Sequence, residues 1–269
     1  IEFLKDDIYT QHLRFGKRIK EVSQLKGKVL IKFDDNTNDL VDYIAAADGI
    51  FSNTRAFFET KKTIPKFRNA IAIRTILKSN LKLDFDEKNI NLIMGSNTHL
   101  VIYPVNKKNE LNLVCIVREK NFDPNNVKKL IGKKILNQNK NLELLFQGNL
   151  KSLPLYSTKT STPSSNKKVF YLGDAFHGFL PSMAQGASQS IESAYELFNL
   201  LKNNNQNAHN IYFKNRSERV RIIKKRSDFN FFVFHISNSF ITKIRDMFIK
   251  QLVKNKKFLK NYLGKVYKN

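Results

Sequence analysis

Two kinds of apolar spacing alternate along the chain. Over residues 1–27, Leu13, Ile19, Val22 and Leu25 fall at helix-like intervals among charged positions, which predicts a helix. Val29-Leu30-Ile31-Lys32-Phe33 is a β-forming run, and Asp34-Asp35-Asn36-Thr37 supplies a turn after it. Leu40–Ala47 reads as a second strand that stops at Asp48-Gly49. From 58 to 153 the pattern changes to strand-like runs around Ala70–Ile76, Leu92–Met94, His99–Val105 and Leu111–Val117, with a polar turn at Asn106–Asn109. These predict a largely antiparallel sheet. Lys151–Lys168, with Pro154, Pro163 and a Ser/Thr-rich run, reads as a returning loop. Val169–Leu172 is a short strand that ends in Gly173-Asp174 and leads into a loop containing Pro181. Ala187, Ile191, Ala194, Leu197, Phe198 and Leu201 then predict a helix over 187–202. A polar linker, Asn203–Asn207, precedes a long basic helical stretch, Tyr212–Val253.

Two strands thus end in acidic turns. In open α/β sheets the C-terminal edge of the strands is where ligands bind. A carboxylate there can accept hydrogen bonds from sugar-like hydroxyls. A helix that opens on small residues, here Gly186-Ala187, lets backbone N–H groups approach an anion or an electron-rich ring. Taken alone, Asp48-Gly49 is most often only a turn.

Composition narrows the class. With 269 residues, 41% of them hydrophobic, the chain can bury a sizeable core and hold one large or two modest domains. The formal net charge of +24 is spread over scattered lysines in an asparagine-rich chain. This reads as a solvated basic surface that attracts anionic small molecules, with no specific nucleic-acid partner expected. The single Cys115, inside Leu111–Val117, reads as a buried thiol and excludes a disulfide framework. No run reaches the length of a membrane span, and IEFLKDDIYTQHL lacks a signal pattern, so a cytoplasmic protein is expected. That opening reads as the middle of a longer sequence.

The stretch Gly173-Asp174-Ala175-Phe176-His177, Pro181, Gln185-Gly186-Ala187, Glu192-Ser193-Ala194 resembles the second flavin motif of the FAD-dependent aromatic hydroxylases. Phe176 stands where that family usually has Ala, and Ser193 where it has Asp. Asp48-Gly49-Ile50-Phe51-Ser52 with Arg55 resembles the same family's middle motif, Ala46 replacing its first Gly. Arg68–Arg74, Met94–Val105 and Asn112-Leu113-Val114 resemble its salicylate hydroxylase-like and 3-hydroxybenzoate hydroxylase-like branch. Ile73 takes the place of a Trp there, and Lys107-Lys108-Asn109 the place of turn glycines. Arg216, Arg219, Ser227, Asn230, Phe234 and His235 fit that branch too, and Asn261–Lys265 resembles its terminal segment without the Trp. Apart from the resemblance, His99 is more often a strand histidine, and Arg219–Arg226 a solvated helix face.

The resemblance implies an α/β fold: a Rossmann-like FAD-binding domain, N-terminally incomplete, with an inserted, largely antiparallel β-sheet substrate domain and C-terminal helices. Its bounds are 1–57 and 154–202 for the FAD-binding domain, 58–153 for the substrate domain and 203–269 for the helical end. The family's G-x-G-x-x-G segment does not occur in the sequence, and Thr10 stands in place of an Arg expected to face the pyrophosphate. The chain therefore reads as a truncated product, or as one that has lost cofactor affinity. The implied function is hydroxylation of a small phenolic or benzoate-type ring with NAD(P)H and O2 through a C4a-hydroperoxyflavin. The implied cofactor-binding residues are Asp48, Gly49, Arg55, Gly173, Asp174, Gln185, Gly186 and Ala187; Pro181 lines the oxygen side of the ring and His99 is the candidate base. A flavin halogenase is disfavoured, because its motif needs tryptophan and the chain has none. A flavin reductase or epoxidase, an inactive homologue and a basic non-catalytic binding protein stay open.

Overall fold

The computed structural model describes residues 12–59, 62–78, 86–105, 110–159 and 162–267. In chain order the strands and helices begin with β1 (Ile19–Leu25), β2 (Lys28–Phe33), β3 (Asn38–Val41), β4 (Ile44–Ala46) and α1 (Asn53–Ala56). There follow β5 (Lys66–Lys78), β6 (Asn91–Gly95), β7 (Thr98–Val105), β8 (Glu110–Arg118), α2 (Val127–Ile131), β9 (Lys151–Ser157) and β10 (Val169–Tyr171). The chain closes with α3 (Gly186–Lys202), α4 (Ala208–Phe234), α5 (Ser239–Leu252) and α6 (Lys256–Tyr267). Thr10 and the turn Asn106–Asn109 lie outside the described residues.

Two compact units divide these elements. One takes the described residues up to Ile64, with Lys159–Gly178 and Ala187–Ser217; the other takes Pro65–Thr158, Phe179–Gly186 and the residues from Glu218 onward.

In the first unit, β1, β2 and β3 form an antiparallel sheet in that order, and β4 pairs with β10 in parallel. The helix expected over residues 1–27 is replaced, in its described part, by β1. The reason lies in Lys26-Gly27, whose φ angles of +48° and +74° make a two-residue turn with both residues left-handed. Such a turn matches the twist of a hairpin, and it sets Leu25 opposite Lys28. The single strand expected over Leu40–Ala47 is two strands. Exposed Asp42-Tyr43 interrupts it, after which the chain leaves β2 for β10. Val29, Ile44, Val169, Phe170, Tyr171, Phe176, Tyr212 and Phe213 form the core of this unit. Phe176, a departure from the family motif, packs with its ring 5.2 Å from that of Phe213.

The second unit is built on an antiparallel five-stranded sheet ordered β6-β7-β8-β5-β9. Alternation along the strands sends Ile73, Leu100, Ile102, Leu113 and Cys115 to one face, where Val127, Ile131, Ile135 and Phe146 cover them. The opposite face carries Ala70, Ala72 and Ile116, packed with Leu180 and Phe231. Lys151–Ser157, expected within a loop, is the edge strand β9, with Pro154 opposite Ile71. Proline is tolerated at an edge because its missing N–H breaks no ladder bond. Among the described residues, no helix is long and apolar enough to cross a membrane.

Cys115 is 0% exposed, and burial pushes its thiol up to about 12. It should therefore stay unreactive to an aromatic disulfide reagent in the native protein and react stoichiometrically once guanidinium unfolds it. Rapid native labelling would contradict the described packing.

Candidate functional site

In the first unit the parallel pairing sets Tyr171 opposite Ala46, and Leu172 N–H donates to the Ala46 carbonyl at 2.8 Å. Both strands consequently release the chain at the same end, into Asp48-Gly49 and Gly173-Asp174. The two carboxylates differ. Asp48 accepts from Thr54 N–H at 2.9 Å, where α1 begins. Desolvation raises its pKa, but hydrogen bonds from Ser52 and Thr54 outweigh that and leave it lowered. Asp174 is raised, and desolvation is the one influence on it, although the residue stays open to solvent. A carboxylate that is accessible, partly stripped of water and without a hydrogen-bond donor among the described residues is a ready acceptor for ligand hydroxyls.

Arg55 joins these turns. It is 2% exposed. Its Nη1 donates to the Ala175 carbonyl at 2.8 Å, and its Nη2 to the carbonyls of Thr63 at 3.2 Å and Ile50 at 3.4 Å. Its Nε lies 3.3 Å from the carboxylate of Glu59, which is equally buried. The side chain is thus committed to protein partners. It positions the loops.

Gly173 has φ +53°, and a Cβ there would meet Ser190 Oγ at 2.4 Å. Turn and helix α3 therefore approach as closely as only glycine permits. Gly186 differs, since a Cβ added to it meets nothing within 4 Å. Ahead of it, Ala184 closes the Pro181–Met183 turn in the left-handed region at φ +51°, donating its N–H to the Pro181 carbonyl at 2.8 Å. Gln185 is buried.

Helix α3 forms as expected, but it is turned. Gln189, Ser193 and Leu197 face inward while Ile191, Tyr195 and Phe198 are exposed. The reason is Arg216 of α4, 1% exposed, which donates to Glu192 Oε1 at 2.6 Å and Gln189 Oε1 at 2.7 Å. One turn earlier, Tyr212 Oη donates to the Tyr171 carbonyl at 2.9 Å, at the end of β10. Ser193, the other departure from the motif, donates to the Gln189 carbonyl at 2.6 Å and is satisfied within its own helix.

The second unit holds a cavity of about 380 Å³ on the β7–β8 face of the sheet. Its walls are mostly apolar, from Ile90, Leu92, Val101, Val114, Ile116, Pro181, Met183 and Phe234, with Arg74, His99, Tyr103, Asn230 and Tyr262 as the main polar groups. His99 and Pro181 are thereby brought to one site. Ile73, which replaces the family Trp, points to the opposite face and is buried there. One stripe of α4 supports the cavity. Ser227 Oγ donates to the Leu180 carbonyl, Asn230 donates to the Ser182 carbonyl at 3.3 Å, and Tyr262 Oη donates to Asn230 Oδ1 at 2.7 Å.

Just past the end of α4, His235 reaches His99. His235 Nδ1 lies 2.6 Å from the Phe231 carbonyl, so its N–H donates there and Nε2 is left as an acceptor. His99 Nδ1, 3.2 Å away, then donates to that Nε2. The approach of Nε2 to the Ile116 carbonyl, 3.4 Å, is the longer competitor. His99 keeps its own Nε2 as an acceptor. Desolvation, then the neighbouring His235, lowers His99 to about 3. At neutral pH it accepts hydrogen bonds but does not store a proton.

A family model described as FAD binding domain matches residues 11–227. Salicylate hydroxylase of Pseudomonas putida is 25% identical over 74% of this chain and 52% of its own length. The 6-hydroxynicotinate 3-monooxygenase of Bordetella bronchiseptica is 25% identical over 81% of this chain and 60% of its own. The chain thus spans little more than half the length of these curated relatives. In fold it is similar to Klebsiella pneumoniae HpxO complexed with FAD and uric acid, with a TM-score of 0.84 at 15% identity over 99% of this chain and 70% of that one. A salicylate hydroxylase substrate complex has a TM-score of 0.69 at 19% identity, covering 83% and 62% of the two chains.

Two predictions follow from the buried charges and rings. Arg55→Met leaves Glu59 buried without its cation, so it should destabilise the protein by about 3–5 kcal/mol in a denaturant titration. His177 is also lowered, to about 4, by burial and by nearby Arg216. Both folded values lie below the ordinary 6.5, so between them and 6.5 the unfolded chain binds more protons. Stability should be full above 6.5 and fall with acidification, each histidine adding a slope that approaches about 1.4 kcal/mol per pH unit. The ring resonances of His99 and His177 should not titrate between about pH 7 and pH 5 in NMR; titration there would refute their buried, neutral state.

Proposed function

Because the chain belongs to the FAD binding domain family, we propose that it acts as an FAD-dependent monooxygenase, using NAD(P)H and O2 to hydroxylate a small phenolic or benzoate-type ring. The observation that carries this reading is the parallel β4–β10 pair, which opens Asp48-Gly49 and Gly173-Asp174 at one end. The residues fit the flavin end of FAD. Asp174 offers an available acceptor for ribityl hydroxyls, and Gly186 leaves open space at the start of α3 where a flat ring can meet backbone N–H groups. On this reading the first unit is the FAD-binding domain and the second takes the substrate.

When bound, the flavin accepts hydride from the nicotinamide nucleotide and activates O2. The chain's own residues hold and shield the reactants. Gln185, Gly186 and Ala187 hold the ring's edge, Asp48 and Gly49 help hold the pyrophosphate, and Arg55 fixes the two turns. The apolar cavity walls orient the substrate ring and exclude water. His99 Nε2 accepts a hydrogen bond from a ring hydroxyl and makes that ring more electron-rich, and Arg74 at the wall favours an anionic substituent.

FAD titration by fluorescence tests the reading with two variants. Asp174→Ala should weaken binding about ten- to a hundredfold, as expected for a lost hydrogen bond to a charged group. Gly186→Ala should hold or slightly raise the melting temperature, since the site is open and alanine is the better helix former, yet weaken FAD. Unchanged affinity in both variants would overturn the assignment. Incorporation of labelled oxygen from O2 into a phenolic or benzoate product separates a hydroxylase from a reductase.

A further inference from the structure

Helix α5 is built inside out. Phe240, Ile241, Ile244, Met247 and Phe248 recur at helical spacing along one face, yet Phe240 is 70%, Met247 62% and Phe248 59% exposed. The buried side chain of the helix is a cation, Arg245. Its Nη1 donates to the Val233 carbonyl at the end of α4, 3.3 Å away, and its Nε donates to Asp246 at 2.8 Å. Asn238 caps the first turn, accepting from Phe240 N–H at 3.0 Å and Ile241 N–H at 3.1 Å. The helix is therefore held by its polar side and its cap, and its apolar side is left to water.

Charge identifies what covers that side. Exposed Lys243 and Lys250 lie two turns apart along one edge of the apolar face, and exposed Lys254, Lys256, Lys257 and Lys260 follow. Asp246 is the one acidic residue between 239 and 267. A second copy of this face would bring lysine against lysine, which like-charge repulsion opposes. A nucleic acid would use the lysines but has no need of the phenylalanines. Helix α3 exposes Ile191, Tyr195 and Phe198 as well, but Glu192 and Glu196 accompany them, with no lysine before Lys202. An apolar stripe edged with lysine is how a helix lies in the headgroup region of an anionic bilayer.

We propose that α5, with the lysine-rich start of α6, docks this protein on an anionic lipid bilayer. Phe240, Met247 and Phe248 enter the acyl boundary, while Lys243 and Lys250 meet headgroup phosphates. Attachment is to the surface, and it does not depend on the flavin reading.

Co-sedimentation of the chain with phosphatidylcholine vesicles, with and without phosphatidylserine, tests this. Binding should require phosphatidylserine and weaken as salt rises. Replacing Phe240, Met247 and Phe248 together by Ser should lower partitioning at least about a hundredfold, with helicity by circular dichroism retained because all three side chains are exposed. Lys243→Gln with Lys250→Gln should lower it about thirtyfold, at about 1 kcal/mol per lysine, and supplies the test if the triple variant does not fold. No binding to phosphatidylserine vesicles would overturn the proposal. So would binding insensitive to both sets of substitutions, which assigns it to basic surface elsewhere. Self-association that the triple variant abolishes, without vesicle binding, would assign the face to a second copy.

Discussion

The buried guanidinium of Arg55 is the constraint on which the acidic turns depend. A cation withdrawn from water is destabilising unless its charge and its N–H groups are all met. Here one carboxylate and three backbone carbonyls meet them. Two of those carbonyls, Ile50 and Thr63, are local and the third, Ala175, lies 120 residues away, so the requirement to satisfy one side chain ties a distant turn to the loops around α1. Arg216 does the same for α3 through Glu192 and Gln189. In both cases the charge organises the segments around it.

The cavity of the second unit follows the opposite scheme. Its walls are apolar, and its order comes from polar groups behind or beside them. Ser227 and Asn230 of α4, with His235 just past its end, hold in turn the Leu180 carbonyl, the Ser182 carbonyl and the His99 ring. The link from the Phe231 carbonyl through His235 to His99 fixes a tautomer that solvent would leave undecided. Rigidity at the cavity wall thus derives from hydrogen bonds made on its dry side.

Much of this was legible in the sequence, for identifiable reasons. The strands from Ala70 to Val117 stand out as apolar runs, continuous where both faces of the sheet are covered, as at Ala70–Ile73. Gly173-Asp174 and the helix after Gly186 announce themselves by punctuation. What escaped were features set by partners distant in sequence. Strand β1 carries apolar residues at spacings that fit a helix equally well, and only the Lys26-Gly27 turn decides between them. The break at Asp42-Tyr43 is a change of sheet inside a run that is apolar on both sides of it. The inward face of α3 could not be read from hydrophobicity, because Arg216 selects Gln189 and Glu192 over Ile191 and Phe198. Arg55 was visible in its motif, but its role depends on the Ala175 carbonyl, 120 residues away.

Pro154 hid β9 from pattern reading, and the same property has a further effect. β9 closes one side of the five-stranded sheet. A free sheet margin invites another chain to add a strand, the first step of aggregation. Proline at that margin withholds one of the N–H groups such an intruder would need, and exposed Lys151 adds charge beside it. The residue that weakens the strand as a signal strengthens it as a boundary against strand addition by another chain.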